Sequence, residues 1–159
     1  MAWWKRPSEL ELNWQKHLLR ENMKGATHAC LRDLKGDRKP DLLFSHGHDK
    51  GIGWLVGPKW QEARMIDTSL VGPHTLACAD SDGDQDWDVA SAGRDSDRLA
   101  WFENAGKGNF TTDVLGGTRS GNDMRAVDLD KDGDLDLIVA GESSKNLVWF
   151  ENRRQQYWL

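Results

Sequence analysis

Apolar residues in this chain fall in short runs, each punctuated by Gly, Asn or Asp. "DLIVAG" at 136–141 and "LVWFEN" at 147–152 are typical. Runs of four to six residues, rich in Val, Ile, Trp and Phe, are too short for helices and predict β-strands. In the last part of the chain they predict strands at about Met124–Val127, Leu137–Ala140, Leu147–Glu151 and Gln156–Leu159. Only 7–16 has a helical flavour, and it reads better as a loop entering a strand at 14–19.

The same succession recurs. "LAWFENAGKGNF" at Leu99 returns as "LVWFENRRQQYW" at Leu147, and "ACADSDGDQDWDVASAG" at Ala77 returns as "RAVDLDKDGDLDLIVAG" at Arg125. A weaker copy, "ACLRDLKGDRKPDLLFSHG", begins at Ala29, and the N-terminal "AWWKRPSELELNWQKHLL" carries only the closing part of the unit. A period of 40–50 residues with four strands per unit predicts an all-β chain of β-propeller blades, each a four-stranded antiparallel sheet. The expected division is a half blade at 1–20 and blades at 21–66, 67–115 and 116–159. One blade cannot bury both of its faces alone, so blades must stack. Trp54, Trp101 and Trp149 recur at equivalent places and are expected to pack between them. About three and a half blades fall short of a closed ring, which typically takes four or more. Completion by self-association, as a homo-oligomer, or by other chain segments is therefore expected.

Composition sharpens the picture at one point. Ten of the 26 acidic residues lie in two clusters, 80–88 and 128–136, leaving 16 against 21 Lys and Arg. The net charge of −5 is thus local, which points to cation binding and away from a generally acidic surface that repels nucleic acid; the partners expected are a protein or glycan, with no nucleic acid. Counting from Asp128, carboxylates stand at positions 1, 3, 5, 7 and 9 (Asp128, Asp130, Asp132, Asp134, Asp136), with Gly133 at 6. Calcium takes six to eight oxygen ligands, and a tight loop with oxygens at 1, 3, 5 and 9 and a backbone carbonyl at 7 can wrap it. Gly133 permits the sharp turn, and the Asp134 side chain is expected to face solvent. An EF-hand would need a Glu at position 12 and flanking helices; Val139 stands there. The second copy, Asp80, Asp82, Asp84, Asp86 and Asp88, fills the same positions but has Gln85 at 6 and Gly83 at 4. The first copy has Lys35 at position 3 and Lys39 at 7, and an internal salt bridge is expected there in place of a cation.

Other chemistry is sparse. His46 and His48 are two residues apart on an extended chain and share a side, so they form half of a possible second metal site. Cys30 and Cys78 sit at matching places on neighbouring first strands and read as small core residues, too far apart for a disulfide. Trp87 lies within an acidic loop and is a candidate for stacking on a ligand, as are Trp3, Trp4 and Trp60. No phosphate-binding Gly loop or nucleophile elbow occurs. No apolar run approaches the 18 residues of a membrane span, and the N-terminus shows no signal peptide.

The D-x-D-x-D-G-x-x-D loop, the aliphatic strand ending in Ala-Gly and the "WFEN" strand together resemble the FG-GAP or VCBS repeat family, the integrin-α-like propeller blades. The resemblance covers nearly the whole chain, strongly in the last two copies. It implies structural calcium held by Asp128, Asp130, Asp132, Asp134 and Asp136 and by Asp80, Asp82, Asp84, Asp86 and Asp88. It also implies an extracellular or periplasmic setting. The expected function is a non-catalytic, calcium-binding module for protein or glycan binding and self-assembly. The alternatives are a lectin propeller or part of a lyase- or dehydratase-type propeller enzyme acting on carbohydrate.

Overall fold

The computed structural model describes residues 1–8, 13–21, 23, 25–117 and 120–153. The described residues are all-β. A two-stranded hairpin, β1 (Ala2–Lys5) and β2 (Gln15–Leu18), precedes three sheets. The first sheet contains β3 (Ala26–Arg32), β4 (Asp41–His46), β5 (Lys50–Leu55) and β6 (Ala63–Val71). The second contains β7 (Pro73–Ala79), β8 (Asp88–Gly93), β9 (Arg98–Asn104) and β10 (Phe110–Gly116). The third shows β11 (Gly121–Val127), β12 (Asp136–Gly141) and β13 (Asn146–Phe150). Each sheet is an antiparallel meander in chain order, and none closes into a barrel. This is a propeller-blade architecture. The fourth strand expected at 156–159 lies outside the described residues.

β6 runs on to Val71, well past residue 66, where the apolar pattern fades. Two register shifts against β5 absorb the additional residues. Asp67 holds the irregular stretch by accepting the amides of Ser69 at 2.8 Å and Leu70 at 2.6 Å through one carboxylate oxygen. Such side-chain turns are invisible to a hydrophobicity pattern.

The core lies between blades. Leu34, Leu43, Ile52 and Trp54 of the first blade pack with Leu76, Val89, Ala100 and Phe102 of the second. Ala77, Ala90, Ala92 and Leu99 of the second pack with Met124, Leu137 and Val139 of the third. Neighbouring residues along β7, β8 and β9 alternate between these two clusters, because successive side chains leave a strand on opposite faces. The middle blade is therefore enclosed on both sides, and all six residues of β8 are buried.

The three equivalent tryptophans show the same logic as a gradient. Trp54 is 1 % exposed and belongs to the cluster facing the second blade. Trp101 is half-buried against the cluster facing the third. Trp149 is 45 % exposed, and Leu147 on the same side of β13 is 70 % exposed. His17, expected in a strand, lies in β2 and stacks on Trp3 with ring centroids 4.3 Å apart.

Candidate metal centre

Each acidic loop joins the first two strands of a blade, spanning residues 33–40, 80–87 and 128–135. The sequence forces each loop through two left-handed residues. Position 4 is Gly36, Gly83 or Lys131, with φ of 69°, 75° and 66°. Position 6 is Arg38, Gln85 or Gly133, with φ of 63°, 74° and 100°. The need for Gly at position 6 was legible in the third copy; the equal demand at position 4 was not. In the second copy the glycine serves position 4, and Gln85 accepts the left-handed conformation at some steric cost.

The odd-numbered aspartates turn the loop back on itself. Asp80 accepts the amides of Gly83 at 2.8 Å and Gln85 at 3.1 Å. Asp82 accepts Asp84 N at 3.1 Å, and Asp84 accepts Asp86 N at 2.9 Å. The third loop repeats this: Asp128 accepts Gly133 N at 3.3 Å, Asp130 accepts Asp132 N at 3.3 Å and Asp132 accepts Asp134 N at 2.9 Å. Consequently the carboxylates converge. In each of the sets Asp80, Asp82, Asp84 and Asp128, Asp130, Asp132, one oxygen per residue lies within 4.8 Å of the others. Both sets can hold a metal ion. Asp128 Oδ1 is buried with no hydrogen-bond partner. Desolvation raises the pKa of Asp130, and repulsion from Asp132, Asp136 and Glu151 adds to it, against the opposing amide of Asp132. An orphaned carboxylate oxygen beside mutually repelling carboxylates fits a hard cation such as calcium.

Positions 7 and 9 behave differently. Asp86 and Asp134 are half-buried, so the Asp134 side chain is not fully turned to solvent. Asp88 and Asp136 are 1 % and 0 % exposed, and both oxygens of each accept backbone amides. Asp136 takes Leu129 N at 3.0 Å and Asn152 N at 2.8 Å; Asp88 takes Ser81 N at 3.1 Å and Asn104 N at 2.9 Å. Asp41 does the same with Leu34 N at 3.1 Å and Gly57 N at 2.7 Å. The position-9 carboxylate is thus a clamp joining the acidic loop to the end of the third strand in every blade, whether or not the loop is rich in carboxylates. Burial pushes the Asp88 carboxyl up to about 6, outweighing its two amide hydrogen bonds, with Asp84 and Glu103 adding repulsion.

The first loop carries the internal salt bridge. Lys35 Nζ lies 2.8 Å from Asp37 Oδ2 and 3.5 Å from Asp41 Oδ1. Hydrogen bonding to Asp37 raises the Lys35 pKa, and the same contact lowers that of Asp37. The ammonium of Lys35 stands at position 3, where the other two loops carry Asp82 and Asp130.

A second element escaped the sequence reading: the Asn of "WFEN". Asn104 Nδ2 donates to Leu34 O of the preceding blade's loop at 3.0 Å and to Trp87 O of its own loop at 3.3 Å. Asn152 Nδ2 repeats this with Ser81 O at 3.0 Å and Leu135 O at 3.3 Å. Each Asn therefore latches two successive acidic loops together. Its exact recurrence in both copies was the available signal.

The remaining candidates sit apart from these loops. His46 lies 5.1 Å from the Phe44 ring and His48 meets His74 edge-on at 5.0 Å. Neither belongs to a close group of three metal-binding side chains among the described residues. Trp87 packs against the first core cluster, and the Arg32 guanidinium covers its ring at 4.5 Å, so a position inside the acidic loop does not exclude core packing. Cys30 and Cys78 are not distant: their sulfurs are 3.0 Å apart. The contact with Cys78 lowers the Cys30 pKa against the effect of burial, with help from Arg32. No helix among the described residues is long and apolar enough to cross a membrane.

Comparison with curated proteins finds no match to the chain. Residues 80–139, from the second acidic loop to the second strand of the third blade, match the family model of the FG-GAP-like repeat. The segment that carries both carboxylate-rich loops is accordingly similar to the FG-GAP-like repeat.

Proposed function

We propose that this β-propeller-type repeat module is non-catalytic, holds one calcium ion in each of its last two acidic loops, and presents its blades for binding and assembly. The observation that carries the reading is the convergence of the Asp128, Asp130 and Asp132 carboxylates, together with a buried, unpartnered Asp128 oxygen. The equivalent Asp80 set and the contrasting Lys35 salt bridge support it. Calcium would neutralise the carboxylates and fix the bend between the two innermost strands of each blade. Asp128, Asp130, Asp132 and their counterparts Asp80, Asp82, Asp84 would bind it.

The assembly part rests on the third blade. Leu147 and Trp149 occupy the places of Leu99 and Trp101, which the next blade covers. A following blade of the same kind, from a second copy of this chain, fits that face. For binding, a cleft of about 420 Å³ sets Trp101 among Asp113, Glu151, Asn152 and Arg153. The Trp101 ring together with the Asp113 and Glu151 carboxylates suits a glycan ring.

Calorimetric titration of the full chain with calcium, with melting curves in calcium and in chelator, tests the metal reading. A native-only ion at a hundredfold excess over Kd stabilises by about 2.7 kcal/mol, so a clear rise in Tm is expected. Asp130→Asn should remove one of the two binding events and part of that rise. An unchanged melt and no binding heat would refute it. Light scattering addresses assembly, where a monomer at all concentrations is the refuting result.

A further inference from the structure

We propose that Cys30 and Cys78 close a reversible disulfide that staples the first two blades at their innermost strands. Cys30 lies on β3 and Cys78 on β7, 48 residues apart, with their sulfurs 3.0 Å from each other. A disulfide bond is about 2.05 Å long, so closing it requires a displacement of about 1 Å. The meeting of the sulfurs follows from the repeat. Equivalent residues of successive first strands face one another across the blade interface, and the third member of the series is Ala126. Both thiols are half-buried and reachable. They line a cleft of about 240 Å³ together with His28, Arg32 and Arg125. The two guanidinium groups suit an anionic oxidant.

The oxidant is a small-molecule disulfide such as oxidised glutathione. The Cys30 sulfur attacks one of its sulfurs, forming a mixed disulfide and releasing one small thiol. Cys78 then attacks the Cys30 sulfur and displaces the second small thiol. The two protein thiols lose two electrons and two protons, and the oxidant gains both as it becomes two thiols. Apart from the apolar cluster, hydrogen bonds join the first two blades. Among them are the Asn104–Leu34 latch, Thr27 Oγ1 donating to Pro73 O at 3.3 Å and Leu76 N donating to His28 Nδ1 at 3.4 Å. Ser96 Oγ also donates to Val71 O at 3.3 Å, and Arg98 to Ser69 Oγ at 3.2 Å. A covalent link across this seam restricts the unfolded chain over a long loop and raises Tm by roughly 10 °C.

The test equilibrates the full chain with oxidised glutathione in the presence of chelator, so that cation binding does not contribute. Free thiols are then alkylated and the intact mass and Tm are read. The expected result is a protein lighter by about two mass units, with no alkylation, a Cys30–Cys78 cross-linked peptide and a higher Tm. Dithiothreitol should reverse all of these. Cys30→Ser and Cys78→Ser should each abolish the Tm rise while melting, when reduced, close to the reduced parent. Stable glutathione adducts on both cysteines, two alkylated thiols, or a disulfide formed only between chains would each overturn the proposal. If a serine variant folds poorly, peptide mapping of the parent alone decides the matter.

Discussion

Replacing Asn104 with Ala tests how successive blades are held together. Asn104 is fully buried. The substitution removes two donated hydrogen bonds, to Leu34 O and Trp87 O, and one accepted from Gly108 N at 3.2 Å. The main-chain bond from Asn104 N to Asp88 survives. At about 1 kcal/mol per net hydrogen bond, the loss is about 3 kcal/mol. Some of that reflects backbone groups left without partners in a closed seam. For a chain of this size, 1 kcal/mol moves Tm by about 2–4 °C, so a fall of roughly 6–12 °C is expected. Urea unfolding followed by Trp fluorescence gives the free energy, and calorimetry the Tm. The control is Asn109→Ala, which loses an exposed contact to Gly106 O at 3.1 Å and should cost less than about 0.5 kcal/mol. An Asn104→Ala variant within about 1 kcal/mol of the parent would refute the latch.

The left-handed residues of the second loop should respond in opposite directions. Gln85→Gly relieves strain of about 1 kcal/mol against about 0.5 kcal/mol of added chain entropy, a small net gain, whereas Gly83→Ala should cost about 1 kcal/mol; chemical denaturation in chelator reads both. Lys35→Asp completes a third carboxylate set with Asp33 and Asp37, so calorimetry should register one more calcium per chain than the parent; unchanged stoichiometry would count against the role given to Lys35. Asp88 has a folded pKa of about 6 against a reference value of 3.8, so it binds its proton more tightly when folded. Its contribution to stability is full below about pH 4 and is lost as pH rises through about 6. In chelator, the parent should therefore lose Tm relative to Asp88→Asn across that interval, and parallel profiles would argue against the assignment.

Periodicity alone determined a good deal of this protein. Short apolar runs, the recurrence of "WFEN" and the D-x-D-x-D loops specified strands, blade-like sheets and the place of the acidic loops between first and second strands. Lys35 at a ligand position was enough to anticipate an internal salt bridge, and the structure supplies its partners, Asp37 and Asp41. These features are local: they depend on strand alternation, turn chemistry and charge spacing within one unit. What the tertiary structure decided lies between units or across a loop. The double amide clamp on Asp41, Asp88 and Asp136, the Asn104 and Asn152 latches, the core packing of Trp87 and the meeting of Cys30 with Cys78 all depend on which backbone groups a neighbouring strand or blade brings near. A single unit's sequence encodes which side chains it offers. Only the stacking of one unit on the next settles what those side chains touch, because the apolar faces are buried between blades and not within them.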